Sequence, residues 1–482
     1  NKGESQIIIP DDSSNKLNFD RCIFEKGEGC RGILIKGEAP VGIESCTFEN
    51  FEERTIEKGR GLLIYSLSEY KTTINNCSFH NIYCISALDF ENSLNIEITY
   101  SNFTYVETCK SNTGGLLFIT KALEFSLINC KIDECGSIDG INNSCFKLCE
   151  SIETAEIINC TFDKCGRCSC GSSILSQNVS LIKIINSVFS ENIAQDASGD
   201  TLCVYIDENT KNCEISNCYI HTRRNIESRE NIFEFRVFSI HSTFINNTFD
   251  KDYAIVLTSD NGYFGIDFSN TKNLYISNNI FSTGNTAIYA NNVEEINIIN
   301  NTFQDLYGNL GPRAFYIKTT LDSLTFRNNT IKNCPNLNSN LMTFSGKEII
   351  IEECIFSNNE YSQQTGGGIG IMFNCSEFEV IFNNCTFKEN NGDIGGSLQF
   401  GGIQNAENSN TGKLNIYSCI FEGNSATNTG GALSFTTKKE NIIQNCTFKS
   451  NFADRRGGSI SIISSIDNNY YYADESESYN LI

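Results

Sequence analysis

The amino-acid sequence predicts an all-β protein that folds as a right-handed parallel β-helix, a solenoid of about 16 turns. Three observations predict it: a motif of the form Asn-Cys-Thr-Phe recurs along the 482 residues, an apolar residue precedes it at a fixed distance, and insertions occur at one point of the repeat. The composition agrees, because the chain has 34 Phe and no Trp, and is rich in residues that favour strands.

The repeat is defined by the apolar residue that ends the motif, which we call the anchor. Anchors are 22 to 34 residues apart, and each has Phe, Ile or Leu five residues before it. This regularity indicates that both positions point into one interior. The sixteen anchors are Phe24, Phe48, Phe79, Phe103, Ile132, Phe162, Phe189, Ile220, Phe249, Phe281, Phe303, Ile331, Phe356, Phe387, Phe421 and Phe448.

Two positions between these apolar residues are predicted to build the turn. The residue three before the anchor is Asn in eleven turns, and Asn tolerates the left-handed backbone of a bend. The residue two before is Cys in ten turns, Asn in four and Ser in two. It points inward after the bend, where Asn side chains can bond one another and Cys fits as a small, nearly apolar residue. The sequence therefore predicts Asn/Cys and Phe/Ile internal ladders.

Other β architectures fit less well. A meander or sandwich does not explain insertions at one fixed phase, and the Leu-x-x-Leu-x-Leu pattern of leucine-rich repeats is absent. A period near 28 residues, with loops concentrated after the third residue beyond the anchor, favours a β-helix. At about 4.8 Å per turn, the expected rod is roughly 75 to 80 Å long.

The chain divides into three predicted segments. Residues 1–16 form a first turn or cap, residues 17–466 form the β-helix, and residues 467–482 form an acidic, Tyr-rich tail or cap. The repeat continues through the cysteine-free stretch 219–333, so no linker is expected there.

The net charge and the processing signals limit which partners and which cellular location are expected. The net charge of −22 disfavours nucleic acid and anionic membrane surfaces, and no run of 18 apolar residues predicts a spanning helix. Eleven Asn-x-Ser/Thr sequons and 23 Cys predict the secretory pathway, with an extracellular or cell-surface destination. Sequon asparagines at bends have a structural role, so the candidate glycosylation sites are Asn102, Asn142, Asn178 and Asn374.

One group of cysteines lies outside the ladder two residues before the anchor. Cys135 and Cys165 share the slot three residues after the anchor, so they are expected on adjacent turns about 4.8 Å apart, within disulfide range. Disulfides are favoured here, and free thiols or zinc are the alternatives, although only one Cys-x-x-Cys occurs. The ladder cysteines, in contrast, are predicted to be free and buried. The candidate disulfide cluster is Cys135, Cys145, Cys149, Cys165, Cys168 and Cys170.

Catalysis has to be weighed, because many enzymes with β-helix folds cleave polysaccharides. Glycoside hydrolysis needs two or three carboxylates that converge on one groove. The sequence motifs of polygalacturonase-like enzymes are absent, and the three histidines lack such partners in the sequence. The nearest group, Asp250, Asp252, Asp260 and Asp267 with Arg236, is interpreted as solvated loop charges. No catalytic residue, cofactor or metal ion is predicted.

Two tetrapeptides carry a family resemblance. Phe421–Asn424 has the form Phe-x-x-Asn, and Gly430–Leu433 reads Gly-Gly-Ala-Leu. Gly395–Leu398 and Gly457–Ile460 match the second with Ser for Ala. This resembles the repeats of polymorphic outer membrane proteins, found in bacterial autotransporter passengers and protist surface proteins, and the architecture resembles the pectate-lyase-like β-helix superfamily. The resemblance implies a surface-displayed β-helix for adhesion or a coat.

The predicted function is a non-catalytic extracellular or cell-surface rod for adhesion, coat or filament assembly. The variable loops are its expected contact surface, and its expected partners are other protein or glycan surfaces, or further copies of itself in a homo-oligomer or filament. Neither nucleic acid binding nor direct membrane insertion is expected. The alternative is a polysaccharide lyase or glycoside hydrolase, which requires carboxylates or an Asp–Lys/Arg pair on one face of three consecutive turns.

Overall fold

The structure is a computed structural model of the chain. It describes residues 5–9, 16–25, 31–36, 39–52, 63–84, 86–108, 116–137, 144–165, 172–192, 201–222, 232–251, 263–284, 286–306, 315–319, 323–334, 342–345, 348–360, 370–371, 379–400, 413–435, 441–463 and 470–471. Strands are the regular elements of these ranges, and no helix occurs within them.

The chain forms two compact units, residues 1–243 and residues 244–482. Each unit is a solenoid whose strands pair in parallel with their counterparts one turn away. The exception is Tyr470–Tyr471, which pairs antiparallel with Ile460–Ile463. Three sheets result: the first carries the apolar residue five before the anchor, the second carries the anchor, and the third follows the insertion. The prediction of an all-β parallel solenoid is confirmed, whereas the predicted boundaries at residues 16 and 466 stay predictions.

The first unit has eight second-sheet strands. The first-sheet strands are Leu17–Asp20, Val41–Glu44, Thr72–Asn75, Ser93–Thr99, Val179–Ile185 and Asn212–Ser216. The second-sheet strands are Ile23–Glu25, Thr47–Glu49, Ser78–Cys84, Asn102–Thr108, Lys131–Asp133, Thr161–Asp163, Val188–Ser190 and Tyr219–Thr222, with Gly136–Ser137 beside them. The third-sheet strands are Ser5–Ile9, Arg31–Ile35, Ile64–Ser66, Leu88–Phe90, Ile174–Ser176, Thr201–Ile206 and Ile232–Val237. Leu117–Ile128 and Phe146–Ile158 belong to both the third and the first sheet.

The second unit repeats this plan and adds a short fourth sheet. The first-sheet strands are His241–Ile245, at the unit boundary, then Asn273–Ser277, Glu295–Ile299, Ser323–Arg327, Glu348–Glu352, Glu379–Asn383, Lys413–Tyr417 and Ile442–Gln444. The second-sheet strands are Thr248–Lys251, Ile280–Gly284, Thr302–Leu306, Thr330–Lys332, Ile355–Ser357, Thr386–Lys388, Ile420–Glu422 and Thr447–Lys449. The third-sheet strands are Tyr263–Asp267, Thr286–Val293, Phe315–Thr319, Met342–Ser345, Gly370–Ile371, Leu398–Phe400, Leu433–Phe435, Ile460–Ile463 and Tyr470–Tyr471. The fourth-sheet strands are Asn391–Ile394, Ser425–Thr429 and Phe452–Ala453.

The anchors pair in register with one another within each unit. In the first unit, eight anchors from Phe24 to Ile220 form one ladder. In the second, eight anchors from Phe249 to Phe448 form another. The prediction of one continuous helix with about sixteen turns is not confirmed, and neither is its rod length, because the chain divides into two compact units.

The bend before the anchor is confirmed. All sixteen residues three before an anchor have a positive φ, between 50° and 59°, including non-Asn residues such as Arg21 and Tyr100. The backbone N–H of each bend reaches the neighbouring turn, as Asn300 shows by donating to the carbonyl of Arg327 at 3.0 Å. Asn is favoured here because its short side chain tolerates the left-handed conformation.

A second bend, two residues after the anchor, is not predicted by the sequence. Twelve residues at this position have positive φ, and many of them are not Asn: Asn50, Asn81, Tyr105, Glu134, Lys164, Glu191, Asp305, Asn333, Asn358, Glu389, Gly423 and Ser450. Inter-turn hydrogen bonds fix this bend, since Glu389 N–H donates to the carbonyl of Glu422 at 2.9 Å. The position has no residue preference that could have predicted it.

The Gly-Gly pairs are turn glycines. Gly430 has a φ of 66°, a conformation that glycine adopts without strain. A Cβ on the next residue, Gly431, would collide with the carbonyl oxygens of Gly458 and Phe452 on the adjacent turn. The pair is thus required by one left-handed residue and one close approach between turns.

Aromatic anchors stack along the interior. The rings of Phe356, Phe387, Phe421 and Phe448 are nearly parallel, with centroids 4.9, 4.6 and 4.7 Å apart. The first four anchors stack in the same way. The predicted Phe ladder is confirmed.

Asparagines form the polar ladder that the sequence predicted. Asn279 Nδ2 donates to the carbonyls of Phe244 and Ser277, both at 3.0 Å, and to Asn301 Oδ1 at 2.9 Å. Its backbone N–H also donates to Asn301 Oδ1 at 2.9 Å. Asn301 and Asn329 repeat the pattern, and so do Asn390 and Asn424 three residues after their anchors. Each buried amide is therefore satisfied by the turns on either side.

Cysteines occupy the same slot as free thiols. Cys385 Sγ donates to the carbonyl of Ile351 at 3.4 Å. This hydrogen bond is equivalent to the one from Asn279 Nδ2 to the carbonyl of Phe244 on the preceding turn. The seventeen cysteines whose side chains are described are free, and all ten ladder cysteines are among them, so the predicted free state of the ladder is confirmed. Eight of the ten are buried, while Cys22 and Cys446 are partly exposed.

The predicted disulfide cluster is not supported. Cys135, Cys145, Cys149 and Cys165 are free and buried, while Cys168 and Cys170 lie outside the described residues. Cys135 Sγ donates to the carbonyl of Phe103 and Cys165 Sγ to that of Ile132, each at 3.5 Å. Adjacent turns therefore direct both thiols the same way along the ladder, which is unsuited to a bond between them.

Raising the pH above 9 is expected to lower the free energy of unfolding. Burial raises the pKa of Cys149 to about 11 and of Cys77 and Cys218 to about 12, from 9.0. Above pH 9 the thiols of the unfolded chain ionise while those of the folded protein stay protonated. The unfolded state is therefore stabilised relative to the folded state until the pH reaches the pKa of the folded thiols. Urea unfolding between pH 8 and pH 11 measures this loss. A Cys77→Ser/Cys218→Ser variant should fold, since Ser fills this slot at Ser101 and Ser187. Its free energy of unfolding should fall less between pH 8 and pH 11 than that of the unsubstituted protein, and an equal fall would contradict the explanation.

Candidate functional site

The outer face of the second sheet carries a group of polar side chains in the first unit. Residues just before and after each anchor point outward, since side chains alternate along a strand. Four consecutive turns in register place Asp133, Asp163, Ser190 and His221 in one line, which we call the outer row. On the other side of the anchors stand Lys131, Thr161, Val188 and Tyr219.

Lysines and a serine engage the two aspartates. Lys131 Nζ lies 2.9 Å from Asp133 Oδ2. Lys164, at the bend after Asp163, places Nζ 3.4 Å from Glu134 Oε1 and 4.0 Å from Asp163 Oδ2. Ser190 Oγ donates a hydrogen bond to Asp163 Oδ1 at 2.5 Å. Two aspartates on adjacent turns are thus each in contact with a cation, and one also accepts from a hydroxyl.

The aspartates are recessed and the lysines stand outside them. The side chains of Asp133 and Asp163 are 21% and 26% exposed, against 55% for Lys131. The hydrogen bond to Asp133 raises the pKa of Lys131, and that to Glu134 raises the pKa of Lys164. Both lysines therefore stay charged at neutral pH. Asp133 Oδ1 is buried and has no hydrogen-bond partner in the described part of the chain.

An aromatic pair closes one end of this surface. The rings of Tyr219 and His221 are nearly parallel, with centroids 6.1 Å apart. Tyr219 is 40% exposed, so part of its ring is open to solvent. The surface thus combines carboxylates, ammonium groups, a hydroxyl, an imidazole and an accessible aromatic ring.

The sequence did not bring these residues together. His221 was expected to lack the partner residues of polygalacturonase-like enzymes, and the register places Ser190 next to it. Asp133, Asp163, Ser190 and His221 are 27 to 31 residues apart, so no local motif contains them. Comparison of the position after the anchor across aligned turns is the signal that could have found them.

The other histidines and the predicted loop charges lie elsewhere. His80 packs edge-on against Tyr105 at 6.0 Å, and His241 starts a first-sheet strand. Asp250 follows its anchor on the second sheet and Asp267 ends a third-sheet strand, so these two do not share a face. Asp252 and Asp260 lie outside the described residues.

Two of the four candidate glycosylation sites lie within the described residues and two lie outside them. Asn102 is exposed on the outer face of the second sheet. Asn178 is exposed as well, but its Nδ2 donates to the carbonyl of Glu150 and its N–H to Asp207 Oδ1. Asn142 and Asn374 fall outside the described residues, so glycosylation stays a prediction.

No group of three or more His, Cys, Asp or Glu side chains in the described ranges is arranged to hold a metal ion. None of the described segments is a helix with the length and apolar character required to cross a membrane.

The ladders and sheets define this protein as a parallel β-solenoid with a polar surface on one outer face. Residues 264–474 match the model of a family described as right handed beta helix region. This match supports the predicted right-handedness and lies within the second unit, while the finer resemblance to polymorphic outer membrane proteins is not confirmed. No curated protein matches the chain.

Proposed function

We propose that this protein is a non-catalytic extracellular or cell-surface scaffold for adhesion, coat or filament assembly. The separation between a constant interior and a variable exterior supports this. Interior positions repeat as stacked Phe and bonded Asn or Cys, whereas the outward position after the anchor varies among Glu, His, Thr, Asp, Ser, Gln and Lys. Because the interior ladders hold each turn, outer residues and loops can change without loss of the fold.

A filament form of this proposal has its own support. In the last second-sheet turn that the structure describes, Ile443, Cys446 and Phe448 are only partly buried. Their counterparts one turn earlier, such as Phe421, are fully buried. A further parallel layer from a second copy would cover this turn, and negative-stain images of the purified chain should then show end-to-end stacks.

Surface display is tested on cells that produce the protein. An antibody against the chain should label non-permeabilised cells, and surface proteolysis should remove that label. Mass spectrometry of native protein should also detect glycan on sequons such as exposed Asn102. Labelling that appears only after permeabilisation, with no glycan, would contradict the proposal.

One observation favours an enzyme as the second candidate. Asp133 and Asp163 lie on adjacent turns, and Lys131, Lys164 and Ser190 complete a cluster over three consecutive turns. Carboxyl groups roughly 5 Å apart suit glycoside hydrolysis with retention. Release of reducing ends or unsaturated sugars from a polysaccharide, lost on Asp163→Asn substitution, would support this alternative.

A further inference from the structure

We propose that the outer row, together with Tyr219, binds a neutral oligosaccharide. This inference rests on the proposed adhesive function and names the ligand class of one contact surface. It concerns recognition and includes no bond-breaking step.

The chemistry of the surface suits sugar hydroxyls. Carboxylates such as Asp163 accept hydrogen bonds from hydroxyl donors, and Ser190 can both donate and accept. A partly exposed tyrosine ring offers an apolar face to the C–H surface of a sugar while its hydroxyl stays polar. Since the chain has no Trp, tyrosine is the residue expected to supply such a platform.

The geometry suits a ligand that extends across the strands. Asp133, Asp163, Ser190 and His221 occupy the same register position on four consecutive turns. Neighbouring parallel strands are about 4.8 Å apart, so the row offers one polar side chain at each such step. A linear oligosaccharide can meet these groups in succession, with Tyr219 at one end.

The charge distribution selects a neutral ligand. Asp133, Glu134 and Asp163 outnumber Lys131 and Lys164, and both lysines already contact these carboxylates. An anionic sugar would meet an excess of carboxylates. A simple cation would meet two ammonium groups that stay protonated, because their carboxylate partners raise the pKa of each lysine.

Asp133 has a reason to respond to such a ligand. Its Oδ1 is buried without a hydrogen-bond partner among the described residues, an unfavourable state for a carboxylate oxygen. Rotation of the carboxyl group toward solvent would let this oxygen accept from a ligand hydroxyl. The Lys131 side chain, which is exposed, can follow that rotation.

The equivalent face of the second unit provides a comparison. There the residues directly after the anchors include Gln304, Lys332, Ser357, Lys388 and Glu422, so this row has no two carboxylates on neighbouring turns. The same backbone therefore carries different chemistry, and the first-unit surface is not a consequence of the solenoid itself. Glu422, which pairs with Lys449 at 2.6 Å, and exposed Ile355 serve as control positions.

The test uses the full chain and neutral tetrasaccharides of glucose, mannose, galactose and N-acetylglucosamine. Isothermal titration calorimetry should detect binding of at least one of them. Asp163→Asn and Tyr219→Ala should each weaken that binding about tenfold or more, the loss expected for one charge-assisted hydrogen bond or one stacked ring. Glu422→Gln and Ile355→Ala should leave it unchanged, and circular dichroism should show that all four variants fold.

Two outcomes would overturn the inference. Binding of none of the tetrasaccharides would do so, as would equal weakening by first-unit and control variants. Cleavage of a bound sugar would also overturn it, because the site would then be catalytic, as the enzyme alternative states. Surface labelling of cells is measured independently, so a failure of the scaffold proposal can be distinguished from a failure of this site.

Discussion

Phe387→Ala is expected to lower the free energy of unfolding of the second unit by about 3 to 5 kcal/mol. The Phe387 ring is fully buried between Phe356 and Phe421, at centroid distances of 4.9 and 4.6 Å. Alanine removes both stacking contacts and leaves a cavity that rigid inter-turn hydrogen bonds prevent from closing. Chemical denaturation followed by circular dichroism measures the change.

The control is an outward residue on the next strand. Ile420 is 43% exposed, so Ile420→Ala should change the free energy of unfolding by no more than about 0.5 kcal/mol. Losses of similar size for both variants would show that the anchor ladder is not the main source of stability.

Asn301→Ala is the second substitution with a large expected effect, about 4 kcal/mol of destabilisation, because several buried polar groups lose their partners together. Asn301 Nδ2 donates to the carbonyls of Ile276 and Ile299, both at 3.0 Å, and to Asn329 Oδ1 at 3.1 Å. Its Oδ1 accepts from the Asn279 backbone N–H and Nδ2, both at 2.9 Å. Urea unfolding of the variant measures the loss.

Two further variants make this prediction specific. Asn301→Cys should be less destabilising than Asn301→Ala, since cysteine fills this slot in ten turns and donates through Sγ, as Cys385 does. Asn297 is half-buried and its side chain donates to Glu295 Oε1 at 3.2 Å in an exposed hydrogen bond, so Asn297→Ala should be nearly neutral. A cysteine variant as unstable as the alanine variant would contradict a shared role for Asn and Cys.

Much of the interior could be predicted because it obeys one repeated constraint. Each turn must bury an apolar pair, bend before the anchor and satisfy the buried polar groups of the backbone at that bend. Phe, Asn and Cys therefore recur at fixed offsets. Alignment of the anchors was sufficient to predict the bend at Asn300 and the ladder through Asn301. The second bend, for example at Glu389, was missed because inter-turn hydrogen bonds impose it on residues of many types.

The candidate site could not be predicted in the same way. Asp163 and Ser190 are 27 residues apart, and their 2.5 Å hydrogen bond exists only because the register places their turns side by side. Outward positions face solvent and carry no common constraint, so no pattern marks them in the sequence. The disulfide prediction was not supported for a related reason. The spacing placed Cys135 and Cys165 on adjacent turns, but only the structure shows that both thiols point the same way.

By itself, the sequence determined the parallel β-solenoid, the inward positions, the first bend and the ladders, because burial and backbone geometry repeat in every turn. Only the tertiary structure decided the division into two units, the second bend, the free state of Cys135, Cys145, Cys149 and Cys165, and the outer row. These features depend on which turns lie side by side and where side chains point. That information arises only when distant segments of the chain pair in register.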